Sequence, residues 1–335
     1  MSEESKKPEK RESTKLTTAV ETIKKSFTKE KAKKFVFGTR EKQGVGKQIV
    51  LYGLLICIGF VYLYPMLYMI STSFMNQEDL LDSSVKWLPS SLYFQNYLDA
   101  GRSMNFWSSF GKGILIAGLP TLCNVFICMV IGYGFARYNF RGKKIMMAVL
   151  IFSYILPNQV TMIPTYVLYN DMGILGTLWT FIMPAVFGNG LNAPIFILIF
   201  YQFFKQIPKV LMEAAAIDGA GHFKAFFRIA IPSAIPAIIT VVLFSFVWYW
   251  NESYLTEMYV QGLASKSIWT NLVVQLKNFD TAFQSKAATG DMATNLNESV
   301  RMAATALSIL PLLVMYLILQ KQFVESIDRA GITGE

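Results

Sequence analysis

Charged residues are missing from six long stretches of the chain, at 48–77, 113–136, 145–170, 172–204, 229–251 and 302–320. Crossing a hydrocarbon core takes about 20 apolar residues in helical conformation. Each stretch therefore predicts one membrane-spanning helix, over about 49–74, 113–136, 145–169, 178–204, 229–251 and 302–320. Prolines punctuate these spans at Pro65, Pro120, Pro157, Pro164, Pro184, Pro194, Pro236 and Pro311. A proline frees a backbone carbonyl, which in lipid must find its partner on a neighbouring helix. The spans are thus expected to pack on one another as a transport- or channel-like bundle. The fold class read from this pattern is an all-α, polytopic membrane protein with six transmembrane helices.

The polar segments give the bundle a direction. Of 31 Lys and Arg, 14 fall within residues 1–47, where only 7 residues are acidic. Six spans leave both termini on one side; if that side is the cytoplasm, the inner segments hold 24 Lys and Arg and the outer ones 7. The positive-inside bias therefore predicts a multi-pass protein of the cytoplasmic membrane with both termini inside. The expected partition is a basic cytoplasmic tail over 1–47, a transmembrane domain over 48–323 and a cytoplasmic C-terminal tail over 324–335. In the first tail, Leu16, Val20, Ile23 and Phe27 recur at three- and four-residue steps beside Lys15, Lys24 and Lys25. That spacing suits a short amphipathic helix on an anionic membrane surface, although a solvated tail fits the composition better. The basic stretch is too long for a signal-peptide n-region, so the first span is expected to stay in the mature protein.

Composition narrows the classes further. Hydrophobic residues make up 53% of the chain and charged ones 16%, against about 45–50% and 25% in soluble domains. A soluble enzyme is disfavoured, and the net charge of +9 is read as topology, not as affinity for nucleic acid. Cys57, Cys123 and Cys128 all lie in apolar windows, where a thiol is a small hydrophobe. With His222 as the single histidine there is no metal-ligand spacing. No Walker A loop exists either: Gly46-Lys47 is followed by Gln48, and Glu41 stands where the first glycine belongs. No catalytic, metal or cofactor-binding residue is expected. Trp87, Trp107, Trp179, Trp248 and Trp250 at window ends read as an interfacial belt. Of the two long outer loops, 76–112 and 252–301, the second shows helical spacing at Ile268, Leu272, Val273 and Leu276, then a stretch at 285–297 read as exposed loop.

The inner loop between the fourth and fifth windows carries the strongest signal. Pro208 suits the start of a helix, Met212 to Ile217 are good helix formers, and Gly219 and Gly221 end the run. A second short helix is expected from about His222 to Ala230. Ala214, Ala215 and Ala216 leave the backbone approachable, while Glu213 and Asp218 offer carboxylates to a partner. Asp218 serves equally well as a cap of the second helix. Such an elbow is built like an insert for another protein's cleft.

Its spacing is specific. Glu213-Ala214-Ala215, three residues, Gly219, nine residues, then Ile229-Ala230-Ile231-Pro232 resembles the EAA loop of ABC importer permeases, with Ile231 where Leu is usual. The resemblance extends from about Gln48 to Gly334 through Gly132-Tyr133-Gly134-Phe135-Ala136-Arg137, Ile207-Pro208, Trp250-Asn251-Glu252 and Gln320-Lys321-Gln322-Phe323-Val324. Together these motifs resemble the smaller permease of the maltose-type carbohydrate-uptake branch. The resemblance implies a second homologous permease, two ATP-binding subunits holding ATP and Mg, an extracytoplasmic sugar-binding protein, surrounding lipid, and alternating access driven from below. It makes Glu213, Ala214, Ala215, Asp218, Gly219 and Pro232 the coupling residues, and gives the outer loop at 262–297 a role in reaching the binding protein. Asn158, Gln159, Tyr166, Trp250 and Asn251 are the candidates for a sugar pathway, since rings cover sugar faces and amides pair with hydroxyls. Two other classes are weighed: a permease for glycerol phosphate or a polyol, and a self-contained ion-coupled carrier. The second usually needs buried carboxylates, and the six windows contain none.

Overall fold

Every regular element among the described residues is a helix, as the apolar windows predict. The computed structural model describes residues 45–85, 87–261 and 268–332. The basic tail with its Leu16-to-Phe27 pattern, and the start of the long outer loop at 262–267, lie outside them. The chain divides into two units after Tyr68. The first holds most of α1 (Val45–Ser73), in which none of residues 45–68 is buried.

In the second unit, α2 (Gln77–Leu81) and α3 (Gln95–Ser103) lie in the first long loop, and α4 (Phe106–Arg137) is its first long helix. Its 32 residues extend the expected span by seven at the front. Next come α5 (Lys143–Ile155), α6 (Asn158–Asp171), α7 (Trp179–Val186) and α8 (Ala193–Gln206). The elbow comprises α9 (Lys209–Ile217), α10 (His222–Ala225), a π turn (Phe226–Ala230) and α11 (Ile231–Ser233). It leads into α12 (Ile235–Asn251); two helices of the second long loop, α13 (Leu272–Lys277) and α14 (Phe279–Ala288), precede α15 (Glu298–Ile332).

Three helices, Val45–Ser73, Phe106–Arg137 and Glu298–Lys321, are long and apolar enough to cross a membrane, and bent pairs raise the number to as many as six. Three expected spans are not single straight helices. The third bends by 95° between α5 and α6, because Pro157 withholds an N–H and biases Leu156 to extended backbone (ψ 125°). The fourth is interrupted at 187–192, where Gly188 and Asn192 take positive φ values of 76° and 55°. The fifth begins at Ile235, and residues 229–234 belong to the elbow, which meets α12 at 74°.

Two apolar cores hold the second unit. In one, α4, α8 and α12 meet around Cys128, Phe196, Phe200, Phe204 and Val241. Gly132 lets α4 approach α8 closely: a Cβ there would lie 2.6 Å from Phe200 Cβ and 3.0 Å from the Ile197 carbonyl oxygen. The other gathers α3, the front of α4, α13, α14 and α15 around Met104, Trp250, Leu272, Phe283 and Val300. Trp250 is therefore core, 1% exposed, and donates its indole N–H to the Ser308 carbonyl in the turn before Pro311. Trp248 is half-buried and stacked on Phe196. Of the expected interfacial tryptophans, Trp87, Trp107 and Trp179 are exposed.

Polar side chains fasten the lobe that the two long loops form with the start of α15. Asp99, fully buried, accepts hydrogen bonds from the Ala293 and Thr294 backbone N–H groups (3.2 and 3.0 Å), the Thr294 hydroxyl (2.9 Å) and Gln95 (2.9 Å). The stretch read as exposed loop at 285–297 thus begins as the end of α14 and is then clamped to α3. Arg301 grips Asp280 with two parallel bonds of 3.0 Å. Leu272 is buried as its helical spacing suggests, whereas Ile268 is exposed.

Candidate coupling elbow and interior cavity

The elbow owes its angle to two backbone breaks. Pro208 at the front of α9 has extended ψ (135°), so the chain leaves α8 with a 70° bend. At the other end α9 closes by a Schellman arrangement: the Ala220 N–H donates to the Ala215 carbonyl (2.8 Å) and the Gly219 N–H to the Ala216 carbonyl (3.1 Å). Gly219 sits at φ +73°, a conformation that costs side-chain-bearing residues about 1–2 kcal/mol. Gly221, not Asp218, is the N-cap of α10, and no side chain bonds that helix end. Glu213, Ala214, Asp218, Gly219 and Pro232 are exposed, and Ala215 is buried.

The rest of the elbow is anchored to the bundle. Arg137 Nη2 at the end of α4 donates to the Ile207 carbonyl (2.9 Å). The Tyr138 ring meets His222 edge-on at 5.7 Å, which makes His222 a packing residue, and Phe226 inserts between Tyr133 and Phe204. The outward face keeps large apolar side chains in the open: Val210, Leu211, Ile217, Phe223 and Phe227 are at least half exposed, Ile217 by 87% and Phe223 by 83%. The elbow is thus packed against the bundle on one side and apolar and open on the other.

A cavity of about 410 Å³ lies where the two broken spans come together. Leu156, Pro157 and Asn158 reach it from the α5–α6 bend, and Asn189, Gly190 and Asn192 from the α7–α8 interruption. Thr161, Thr165, Tyr169, Tyr249 and Tyr259 complete its polar wall. The interruption is held in place by buried groups. Asn124 in mid-α4 donates to the Leu191 carbonyl (3.2 Å), and the Leu191 N–H donates to the Tyr249 hydroxyl (3.0 Å). Gly190 fits only because it has no side chain, since a Cβ would lie 2.7 Å from Asn124 Oδ1 and 2.8 Å from the Tyr249 hydroxyl.

Of the residues expected on a sugar pathway, only Asn158 lines this cavity. Gln159 and Asn251 are exposed elsewhere, Tyr166 packs against the outer core, and Trp250 is buried in it. Glu252 bonds the Leu255 N–H (2.9 Å) and starts the next turn. The cavity residues that sequence reasoning missed carried a visible signal: Gly188-Asn189-Gly190 and Asn192 are turn-forming residues inside an apolar window, and Asn124 is a lone amide in mid-span.

Comparison with known proteins agrees with this architecture. The polygalacturonan/rhamnogalacturonan transport system permease protein YtcP of Bacillus subtilis (strain 168) is 25% identical over 287 residues, covering 85% of this chain and 98% of its own. The melibiose/raffinose/stachyose import permease protein MelC of the same organism is 29% identical over 257 residues, covering 76% and 86%. A chain from the crystal structure of a bacterial ABC transporter that imports the acidic polysaccharide alginate shares the fold, with a TM-score of 0.63 and 23% identity over 82% of this chain and 96% of that one. The family described as binding-protein-dependent transport system inner membrane component matches residues 128–329, a stretch that holds both the elbow and the cavity. The chain belongs to that family, and is the membrane-spanning component of such a transporter.

Proposed function

We propose that this chain is a permease subunit of an ATP-driven importer for a sugar or oligosaccharide, and that its elbow couples ATP hydrolysis in separate subunits to alternating access. The observation that carries the reading is the elbow's exposed apolar face on a turn tied to the bundle by Arg137, His222 and Phe226. Glu213, Ala214, Ala215, Asp218, Gly219 and Pro232 serve as the coupling segment. The carboxylates meet the partner's donors, the alanines permit close approach, and Gly219 sets the turn. In this reading the excess of Lys and Arg puts the elbow and both termini in the cytoplasm, with tails at 1–47 and 324–335 flanking the permease domain. A second homologous permease completes the pathway, two ATPase subunits with ATP and Mg dock below, and a sugar-binding protein delivers substrate from outside. The names of relatives that import oligosaccharides support the substrate class.

Affinity purification from native membranes tests the assembly. An N-terminally tagged chain is expected to bring down an ATP-binding subunit and a second permease. The variant Glu213→Ala with Gly219→Pro is expected to keep the permease and lose the ATPase. Recovery of the chain alone, or only as a homo-oligomer, defeats the reading in favour of a self-contained carrier.

A further inference from the structure

The wall of the cavity is polar but carries no charge. Among the described residues that line it there is no Asp, Glu, Lys, Arg or His. Backbone dipoles do not supply a charge either. At the α5–α6 bend the carboxyl end of one helix meets the amino end of the next, and the same juxtaposition recurs across the α7–α8 interruption. Each break thus presents a partial negative and a partial positive end together, so the breaks themselves favour neither sign. Behind the wall stands one carboxylate, Glu252, which accepts from the Leu255 N–H at 2.9 Å and acts on Tyr259 through space, a further disadvantage to an anion.

Hydrogen-bonding capacity is plentiful by contrast. The side-chain amides of Asn158, Asn189 and Asn192 have no partner among the described residues, so each offers both donors and an acceptor. The Tyr249 hydroxyl accepts from the Leu191 N–H and keeps its own proton for a further acceptor, while the Tyr259 hydroxyl donates to the Met162 carbonyl. Aromatic faces lie beside these groups, with Tyr169 and Tyr259 edge-to-face at 5.3 Å.

Resting on the sugar-import reading, we infer that this cavity is a subsite for an uncharged sugar unit and that it discriminates against uronate sugars. Neutral hydroxyls exchange water for amides and tyrosines without loss. A carboxylate entering the same wall gives up hydration and finds no counter-ion. At about 410 Å³ the space suits one or two sugar rings, within the range of small-molecule sites.

The test uses the complete transporter in proteoliposomes, with Cys57, Cys123 and Cys128 replaced by Ala and a single reporter introduced by Thr161→Cys. Thr161 lines the cavity, and its hydroxyl bonds only the Asn158 carbonyl of its own helix. Matched cationic and anionic methanethiosulfonates are expected to modify the reporter at rates within about threefold of each other once corrected for their reactivity with free thiol, with Glu252 screened behind the wall. A charged wall would favour one of them by about tenfold or more through local enrichment, and that result overturns the proposal. Raffinose, a neutral trisaccharide, is expected to slow modification, and trigalacturonate is not. Equal or better protection by trigalacturonate overturns the subsite while leaving sugar import intact. If thiol rates stay within that range but neither sugar protects or is taken up with ATP, the sugar-import reading itself fails, and the subsite with it.

Discussion

The elbow and the loop-built lobe are both excursions between helices of the bundle, yet they are finished differently. In the lobe, Asp99 gathers four hydrogen bonds, Arg301 grips Asp280 in bidentate fashion, and Phe279, Phe283 and Leu272 are buried. On the elbow's outward face, Ile217 and Phe223 lie almost bare and neither Glu213 nor Asp218 has a side-chain partner among the described residues. The lobe ties its carboxylates and its aromatic cluster down within the chain, although the buried Asn96 Oδ1, Ser103 Oγ, Asn271 Nδ2 and Ser299 Oγ find no partner among the described residues, whereas the elbow leaves both its carboxylates and its largest apolar side chains open. Burial and hydrogen bonding thus separate a segment fastened within this chain from one whose apolar face stays open, as the proposed coupling role requires.

Three substitutions sharpen the contrast, in order of expected effect on stability. Asp99→Ala removes the acceptor of two backbone N–H groups in a dry site and is expected to cost about 3 kcal/mol. Thermal unfolding of the detergent-solubilised transporter would show it as a lowered Tm, and an unchanged Tm would mean the lobe is not self-sufficient. Arg301→Ala breaks a pair about half exposed on both sides, so a loss no larger than about 1 kcal/mol is expected in the same assay. Phe223→Ser on the elbow is expected to move stability by less than about 0.5 kcal/mol, as for an open surface site. Its effect belongs in a different measurement, as loss of substrate-stimulated ATPase activity in the assembled transporter. A large stability loss without that uncoupling would make the elbow an ordinary packed turn.

The sequence announces the elbow almost residue by residue, because Pro208, Gly219 and Gly221 act through local backbone rules that need no tertiary context. It also marks the apolar windows, but not their continuity. Uncharged composition is the same for a straight span and for one bent by 95° at Pro157. The cavity was least legible. Asn124, behind its wall, and Tyr249, in it, come from helices far apart in sequence, and only packing brings them to the 190–191 backbone. Trp250 departs from the interfacial place its position suggests for a similar reason. An aromatic at a window's end looks interfacial until Phe110, Phe246 and the Ser308 carbonyl close around it.

The last helix runs unbroken for 35 residues, from a first turn beside the lobe to Ile332. At 1.5 Å per residue it is a rod about 52 Å long. If such a rod tilts by ~5° about one end, simple geometry moves the other by about 5 Å, close to one helical pitch. A shift of that size registers in any clamped contact, and Arg301, in the rod's first turn, holds α14 through Asp280. The length of the last helix therefore suits a lever arm, and the Arg301–Asp280 pair is the contact at its first turn that such a tilt would load.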